Sequence, residues 1–254
     1  MNKKDDLGDR MKNYENIHRN FLSPKNYYIL RIDGKSFHSY TKGMEKPFDE
    51  TLIGDMQETT KYLCENIQGA QFGYTQSDEI TIVFTDLMGE VSDIWFGGNI
   101  QKIISVAASM ATAKFNHLNF DRVLAATVED FSNAPFITKL AHFDARVFTI
   151  SQRHEVLNNL YWRQKDASKN SVQMLARSLF SHKSLQNLNG NELQDKMMIE
   201  KNVNWNDLEV VKKRGTCVYK LNKTTNGVTR GKWHIDKESP IFSKDWGWFD
   251  GKII

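Results

Sequence analysis

Cysteine and proline are scarce in this sequence. Its 254 residues include only two cysteines and four prolines. Cys64 and Cys217 are too few and too widely separated for a disulfide framework or a zinc site built from cysteines, so we expect both to be small buried side chains. With so few prolines, no internal repeat and no low-complexity tract, no stiff linker marks a domain boundary.

Long apolar runs are also missing. In the region expected to be helical, the longest stretch without a charged residue runs only from Ile103 to Ala113, whereas a membrane-spanning helix needs ~20 apolar residues. The opening residues Met-Asn-Lys-Lys-Asp-Asp place acids early and have no apolar core behind the lysines, unlike a secretory signal or a transit peptide. We therefore expect a cytoplasmic protein with no membrane partner.

The composition that is present is typical of a folded globular protein, with 40% hydrophobic, 26% charged and 11% aromatic residues. The net charge of +3 hides an asymmetry, because residues 201–254 carry 11 Lys or Arg and 6 Asp or Glu, against 23 and 25 in residues 1–200. The basic excess includes Lys212, Lys213 and Arg214. It indicates either contact with a nucleic-acid phosphate backbone or an ordinary solvated surface.

Hydrophobic periodicity predicts strands and helices in a simple order. We expect a strand at Asn26–Ile32, a helix at Asp49–Ile67 capped at its first residue, a hairpin at Phe72–Phe84, a helix at Ile100–Phe115 and a strand at Phe143–Ile150. This order is that of an α+β, ferredoxin-like fold, an antiparallel sheet with packed helices. Helices expected at 154–180 and 190–201 extend it, so we predict a domain over 1–150 and a helical and basic C-terminal extension over 151–254, packed as one compact unit.

Two acidic positions interrupt apolar strands. Asp33 directly follows the first strand, and Asp78 and Glu79 lie in the middle of the hairpin, where unpaired carboxylates are costly. If the hairpin pairs beside the first strand, Asp33 and Asp78 converge, and such hard oxygen ligands suit Mg²⁺ held jointly with nucleotide phosphates. The alternative left open is that Asp33 forms an ordinary Asp-Gly turn and Asp78 pairs with Arg31 or Arg146.

Glycine and basic residues near these acids are candidates for phosphate contact. The turn from Gly34 to His38 offers backbone N–H groups for an anion-binding nest. It is not a Walker loop, because Ile29 occupies the position of the required glycine. No Ser-His-Asp order, HExxH helix or Cys/His cluster is present, which disfavours hydrolase and zinc chemistry. The side chains that are either phosphate contacts or ordinary surface residues are His38, Lys46, Lys102 and Arg146.

Several ordered motifs resemble those of a known family, the tRNA-His guanylyltransferases and their Thg1-like relatives, polymerases that extend RNA in the 3′-to-5′ direction. The motifs cover about four-fifths of the chain. They are Leu7–Glu15, Arg31–His38, Lys46–Asp49, Gln76–Glu79, Phe143–Arg146 and Tyr161–Asp166, and they end near Lys213-Arg214-Gly215.

The resemblance implies that residues 1–150 form a polymerase palm with two or more Mg²⁺ ions per site. It implies that Asp33 and Asp78 are catalytic and metal-binding, that the Gly34 carbonyl is a further metal ligand, and that Glu79 is a catalytic neighbour. It also implies nucleotide contacts. These are Gly34, Lys35, Ser36, Phe37 and His38 for one triphosphate, Lys46 and Asp49 for the activating nucleotide, and Ser77, Lys102, Arg146 and Asn170 for a second triphosphate.

The resemblance further implies a reaction and an assembly. ATP would activate the 5′ end of a tRNA, and the 3′-hydroxyl of GTP or another NTP would then attack the activated phosphate opposite a template. Members form homotetramers, as dimers of dimers, which bind the tRNA across several subunits. The basic residues Lys212, Lys213 and Arg214 are expected to bind the RNA.

One segment departs from the tRNA-His-specific branch. That branch carries a His-Ile-Asn-Asn-Leu-Tyr-Asn-Thr block after the Trp-Arg-Gln-x-Asp motif, whereas this chain has Ala167–Gln173, with Ser168 in place of the histidine. The difference favours the Thg1-like branch, which repairs 5′-truncated tRNAs. Addition of G to tRNA-His stays open as part of this repair activity. The alternatives are a strict tRNA-His guanylyltransferase and a palm-type nucleotide cyclase.

Overall fold

A computed structural model describes residues 6–129, 139–225 and 228–254. No helix within those ranges has both the length and the apolar composition needed to cross a membrane. The helices are α1 (Asp6–Asn16), α2 (Phe37–Tyr40), α3 (Glu50–Asn66), α4 (Ile100–Glu129), α5 (Arg153–Leu179), α6 (Gly190–Lys201) and α7 (Val210–Arg214), and the strands are β1 (Tyr27–Gly34), β2 (Ala70–Gln76), β3 (Glu79–Thr85), β4 (Phe143–Ile150), β5 (Thr216–Thr225) and β6 (Val228–Asp236).

The strands form one antiparallel sheet in the order β4-β1-β3-β2-β5-β6. Its first four strands and the helices α3 and α4 have the connectivity of the predicted ferredoxin-like fold, so the predicted fold class is confirmed. The hairpin expected from the sequence is β2 and β3, joined by a turn at Ser77 and Asp78.

Alternating side chains of β1 separate two buried cores. Tyr28, Leu30 and Ile32 pack in one core with residues of α3 and α4, while Tyr27 and Ile29 pack in the other with residues of α5. Because side chains alternate along a strand, Asp33 continues the series that faces α5. The polar end of β1 therefore emerges on the α5 side of the sheet.

The C-terminal extension, predicted to be helical, also contains strands. After α7 the chain forms β5 and β6, and β5 pairs with β2 from Thr216 to Tyr219. Cys217 and Tyr219 are buried on the α5 side, and Val218 is buried on the other side, so both faces of this short run are covered. One sheet therefore continues across the division expected at residue 150.

Helix ends follow the local sequence. Asp49 caps α3 as expected, because its side chain accepts a hydrogen bond from the Leu52 amide at 2.9 Å. Asn189 and Glu192 form a capping box at the start of α6. In contrast, α4 continues to Glu129, well beyond its predicted end at Phe115. In that continuation Asn119 donates a hydrogen bond to the Tyr40 hydroxyl at 2.8 Å, a contact that a periodicity argument cannot anticipate.

Candidate active site

The two predicted metal carboxylates lie at the same end of the sheet, Asp33 near the end of β1 and Asp78 in the turn just before β3. Asp33 pairs in register with Glu79 of β3, and Asp78 is the residue immediately before Glu79. The Gly34 amide donates a hydrogen bond to the Asp78 carbonyl at 3.0 Å, which ties the turn to the end of β1. Asp33 is part of the strand rather than of an ordinary Asp-Gly turn.

Neither carboxylate forms an ion pair within the described ranges. The pairings weighed as an alternative for Asp78 are absent there, since Arg31 contacts Glu79 at 2.7 Å and Arg146 contacts Asp144 at 3.2 Å. Asp78 accepts a hydrogen bond from the Ser77 hydroxyl at 3.0 Å. Burial raises the pKa of Asp78, and the negative charge of Asp33 raises it further. The pair is therefore held at an electrostatic cost.

A divalent cation fits this pair chemically. The described residues contain no group of three or more His, Cys, Asp or Glu side chains placed to hold a metal ion by themselves. Two carboxylates and a backbone carbonyl, from Asp33, Asp78 and Gly34, leave coordination positions for phosphate oxygens and water. That is how Mg²⁺ is usually held in nucleotide-handling sites. Positive charge there would also relieve the repulsion between the two carboxylates.

Glu79, expected as a catalytic neighbour, is already occupied. Arg163 contacts its two carboxylate oxygens at 2.6 and 2.8 Å, and Arg31 makes the additional contact described above. Glu79 is 5% exposed and Arg163 is 4% exposed. Burial raises the pKa of Glu79, and the Arg163 guanidinium opposes that rise. Three of the roughly four acceptor positions of this carboxylate are therefore taken by arginine N–H groups, which disfavours a metal ion there.

A cavity of about 800 Å³ opens beside the pair, a volume typical of small-molecule sites. One wall is the end of β1 with α2 and the following loop, a second is the start of α3, and the third is α5 with α7. Gly34 and Asp78 line the cavity, whereas Asp33 does not. The other predicted contacts that line it are Ser36, Phe37, His38, Lys46, Asp49, Ser77, Asn170, Lys212 and Lys213.

The expected anion nest is shorter than predicted. The Gly34 amide is bonded to Asp78, and the Lys35 amide donates to the His142 carbonyl at 2.8 Å. These two N–H groups are therefore not free to bind phosphate, and Lys35 does not line the cavity. The amides of Ser36, Phe37 and His38, at the start of α2, are the part of the turn that remains for an anion.

The two residues expected to bind the activating nucleotide differ in their surroundings. The Asp49 oxygens accept hydrogen bonds from the amides of Leu52 and Glu45, at 2.9 and 3.1 Å. This carboxylate thus holds the loop and the start of α3 together. Lys46 is exposed at the cavity wall, so its ammonium group is the more available of the two for a phosphate.

Lys102 and Arg146 lie outside the cavity. Lys102 sits near the start of α4, with its ammonium 4.8 Å from the Phe96 ring centroid. Phe37, in the cavity wall, contacts Phe115, which lies about 20 Å further along α4 at the usual rise per residue. Arg146 is on edge strand β4, where it pairs with Asp144. Neither residue therefore shares the cavity wall with Ser77 and Asn170.

The basic triplet of α7 is partly neutralised. Lys212 forms ion pairs with Glu50 and Glu209, and the hydrogen bond to Glu50 raises the pKa of Lys212. Lys213 donates to the Asn206 carbonyl, and the Arg214 guanidinium lies 3.4 Å from the Ser239 carbonyl. Lys212 and Lys213 also line the cavity.

Sequence reasoning missed part of the α5 wall. Met174 and Arg177 line the cavity together with Asn170. These three residues are spaced four and three apart, so they share one face of a helix. With Asn170 predicted as a nucleotide contact, this spacing is the sequence signal for Met174 and Arg177. Arg163 was also missed as a site residue, although it lies within the Trp-Arg-Gln motif.

This chain matches a family model and is similar to a viral protein. Residues 8–151 match the family model described as Thg1, tRNAHis guanylyltransferase. An uncharacterized protein of Acanthamoeba polyphaga mimivirus is 32% identical over 236 residues, covering 87% of this chain and 79% of that protein.

Two solved structures of a bacterial tRNA(His) guanylyltransferase (Thg1)-like protein are also similar. The complex with ATP is 47% identical, with a TM-score of 0.83, over 98% of this chain and 99% of the other. The complex with GTP is 44% identical, with a TM-score of 0.81, over the same shares of the two chains.

Proposed function

The chain belongs to the Thg1 family of tRNAHis guanylyltransferases, on its Thg1-like branch, and from this premise we propose that it adds nucleotides to the 5′ end of tRNA in the 3′-to-5′ direction, opposite a template. One observation carries the proposal. Asp33 pairs in register with Glu79, the residue after Asp78, and its charge raises the pKa of Asp78. Neither carboxylate has a counter-ion in the described structure, and a cavity large enough for a nucleotide opens beside Asp78. Such a pair suits phosphoryl chemistry.

We assign Asp33, Asp78 and the Gly34 carbonyl to the binding of Mg²⁺, two or more ions per site. Bound Mg²⁺ supplies charge stabilisation of the attacking and leaving oxygens. The two carboxylates determine the position of that positive charge. The hydrogen bond from the Gly34 amide to the Asp78 carbonyl holds the turn that carries Asp78 against the end of β1. No residue has to act as a nucleophile, because positioning and charge neutralisation lower the barrier.

The cavity is assigned to a nucleoside triphosphate. The similar bacterial protein binds ATP and GTP, and we extend both ligands to this chain. The amides of Ser36 to His38 and the Lys46 ammonium would bind phosphate. Ser77 and Asn170 would contact the second triphosphate. Lys102 and Arg146 are not assigned to it within one chain.

The reaction proposed has two steps. ATP first reacts with the 5′-monophosphate of the tRNA, releasing pyrophosphate and leaving an adenylylated end; a 5′-triphosphate end needs no such step. The 3′-hydroxyl of the incoming NTP then attacks the activated 5′ phosphorus, forming a phosphodiester and releasing AMP or pyrophosphate. The site contributes orientation of the hydroxyl toward that phosphorus.

A truncated tRNA is the preferred substrate in this proposal. Ser168, which stands where the tRNA-His branch has histidine, donates a hydrogen bond to the Lys213 carbonyl at 3.0 Å. It thereby fixes α7 to α5 rather than facing a base. We propose a homotetramer that binds tRNA across several subunits, with the basic residues of α7 near its 5′ end.

The test is incorporation of labelled GTP into a 5′-truncated tRNA. We expect Asp33→Asn and Asp78→Asn each to reduce incorporation by at least about 1,000-fold, several kcal/mol of barrier. Asp195→Asn, at an exposed aspartate of α6, is the matched control and keeps wild-type activity. Full activity in either site variant, or a cyclic nucleotide formed without RNA, would contradict the proposal.

A further inference from the structure

Acidic residues lie side by side across three strands at the site. Asp33 is the register partner of Glu79 on one side and of Asp144 on the other. Directly opposed like charges destabilise a sheet. Asp144 is exposed and pairs with Arg146, so water and that arginine screen it. Glu79 is buried, and its charge needs compensation inside the protein.

Two arginines supply that compensation. Arg163 contacts both oxygens of Glu79 in the two-pronged geometry typical of arginine and carboxylate, and Arg31 contacts the second oxygen. Arg163 is itself held, since it bonds Asp166 at 2.9 Å and lies 4.3 Å from the Trp162 ring centroid. The net charge of this group is zero, because the two carboxylates of Glu79 and Asp166 are matched by the two guanidinium groups of Arg31 and Arg163. Asp33 and Asp78 remain as the uncompensated charges of the site.

The same contact joins two walls of the cavity. Glu79 begins β3, directly after Asp78 of the turn, while Arg163 is on α5. Further along α5, Asn170 and Arg177 line the cavity. The ion pair between Glu79 and Arg163 therefore links the start of β3, next to Asp78, to the helix that forms the opposite wall.

We infer that Arg163 is a positioning residue for the proposed nucleotide transfer: by holding and neutralising Glu79 it fixes Asp78 relative to α5, and Glu79 acts as its partner rather than as a metal ligand. The inference rests on the proposed function. It reassigns Glu79, expected from the family resemblance to be catalytic, on the geometry of its two oxygens.

The test is a charge cycle built from Arg163→Met, Glu79→Gln and the double variant. Arg163→Met makes the net charge of the group more negative by one, and Glu79→Gln makes it more positive by one. The double variant restores a net charge of zero. Each full-length protein is assayed for labelled GTP incorporation and, independently of activity, for Mn²⁺ binding by electron paramagnetic resonance with ATP present. Thermal unfolding confirms folding, and Arg153→Met, at the exposed pair with Asp250, is the control.

We expect Arg163→Met to lower incorporation by about 100-fold, because Asp78 is no longer fixed relative to the α5 wall of the cavity. The Gly34 to Asp78 hydrogen bond still holds Asp78 beside the end of β1, so Mn²⁺ should bind more tightly, because the Glu79 charge is uncompensated. Glu79→Gln should bind Mn²⁺ more weakly. The double variant should return Mn²⁺ affinity to the wild-type range and incorporate about tenfold more than Arg163→Met. Arg163→Lys, which keeps the charge and loses the two-pronged contact, should keep wild-type Mn²⁺ affinity with intermediate incorporation.

Other outcomes overturn the inference. If Glu79 were a metal ligand, the double variant would bind Mn²⁺ as weakly and be as inactive as Glu79→Gln. If Arg163 were only structural, its variants would lose Mn²⁺ binding and activity together as they unfold. Failure of the proposed function is distinguishable, because a wild-type protein that binds Mn²⁺ and ATP without incorporating GTP would refute that function while the Mn²⁺ cycle still tests Arg163.

Discussion

A carboxylate lies just outside each end of strand β3, and the two differ in how many hydrogen-bond donors surround them. Asp86, after the strand, is 1% exposed and accepts hydrogen bonds from the Lys25 amide, the Asn26 amide and the Tyr28 hydroxyl, at 2.7, 3.1 and 3.0 Å. Asp78, before the strand, accepts a side-chain hydrogen bond from Ser77 alone among the described residues and faces the charge of Asp33.

The difference separates a structural acid from a functional one. Asp86 is buried because three donors stabilise its charge, and in turn it organises the start of β1. The fold gives Asp78 no comparable stabilisation. A carboxylate kept in that condition indicates that a ligand, here a divalent cation with a nucleotide, completes its surroundings.

The largest difference between the two acids is expected when each is neutralised in turn. Asp86→Asn should lower the free energy of unfolding by about 1–3 kcal/mol, because the amide nitrogen of the new side chain meets an N–H donor. Activity per folded molecule should be kept, since Asp86 lies at the far end of β3. Asp78→Asn should not lower the stability of the metal-free protein. Denaturant unfolding measures both, and an equal loss of stability in the two variants would refute the distinction.

A smaller effect is expected from pH. The pKa of Asp78 in the folded protein is raised above its ordinary 3.8, so the folded state holds this proton more tightly than the unfolded state does. The resulting stability is fully present below 3.8 and is lost as pH rises through the raised folded pKa. Metal-free wild type should therefore be less stable than Asp78→Asn at neutral pH, with the difference disappearing on acidification.

Thermal unfolding at several pH values, without metal, checks this expectation. Added Mg²⁺ with ATP should stabilise the wild type more than Asp78→Asn at neutral pH, because binding to the folded state alone shifts the equilibrium. A stability difference between the two proteins that does not change with pH would show that the repulsion between Asp33 and Asp78 is not the cause.

The fold was predictable where local signals agreed. The helix α3 has an apolar face, a capping aspartate and a following glycine, and the hairpin of β2 and β3 has β-branched strands around a polar turn. The strands β5 and β6 were missed, because lysines such as Lys220 interrupt their apolar pattern and the partner of β5 is β2, about 140 residues earlier in the chain.

In the candidate site, too, only the residues with a local signal could be predicted. Asp33 and Asp78 drew attention because they end or interrupt apolar strands. The bond between Glu79 and Arg163 joins residues 84 positions apart, so no local pattern predicts it. The charge of Lys102 and the family resemblance predict a phosphate contact, whereas its distance from the cavity, near the start of α4, follows only from how that helix packs on the sheet.

The most direct test of the account is a Mn²⁺ titration in the presence of ATP, comparing wild type with Asp33→Asn, Asp78→Asn and Asp86→Asn. The account predicts that the first two variants bind Mn²⁺ at least about tenfold more weakly than wild type, whereas Asp86→Asn binds it normally. Wild-type Mn²⁺ affinity in Asp33→Asn and Asp78→Asn would contradict the claim that these two carboxylates share a divalent cation.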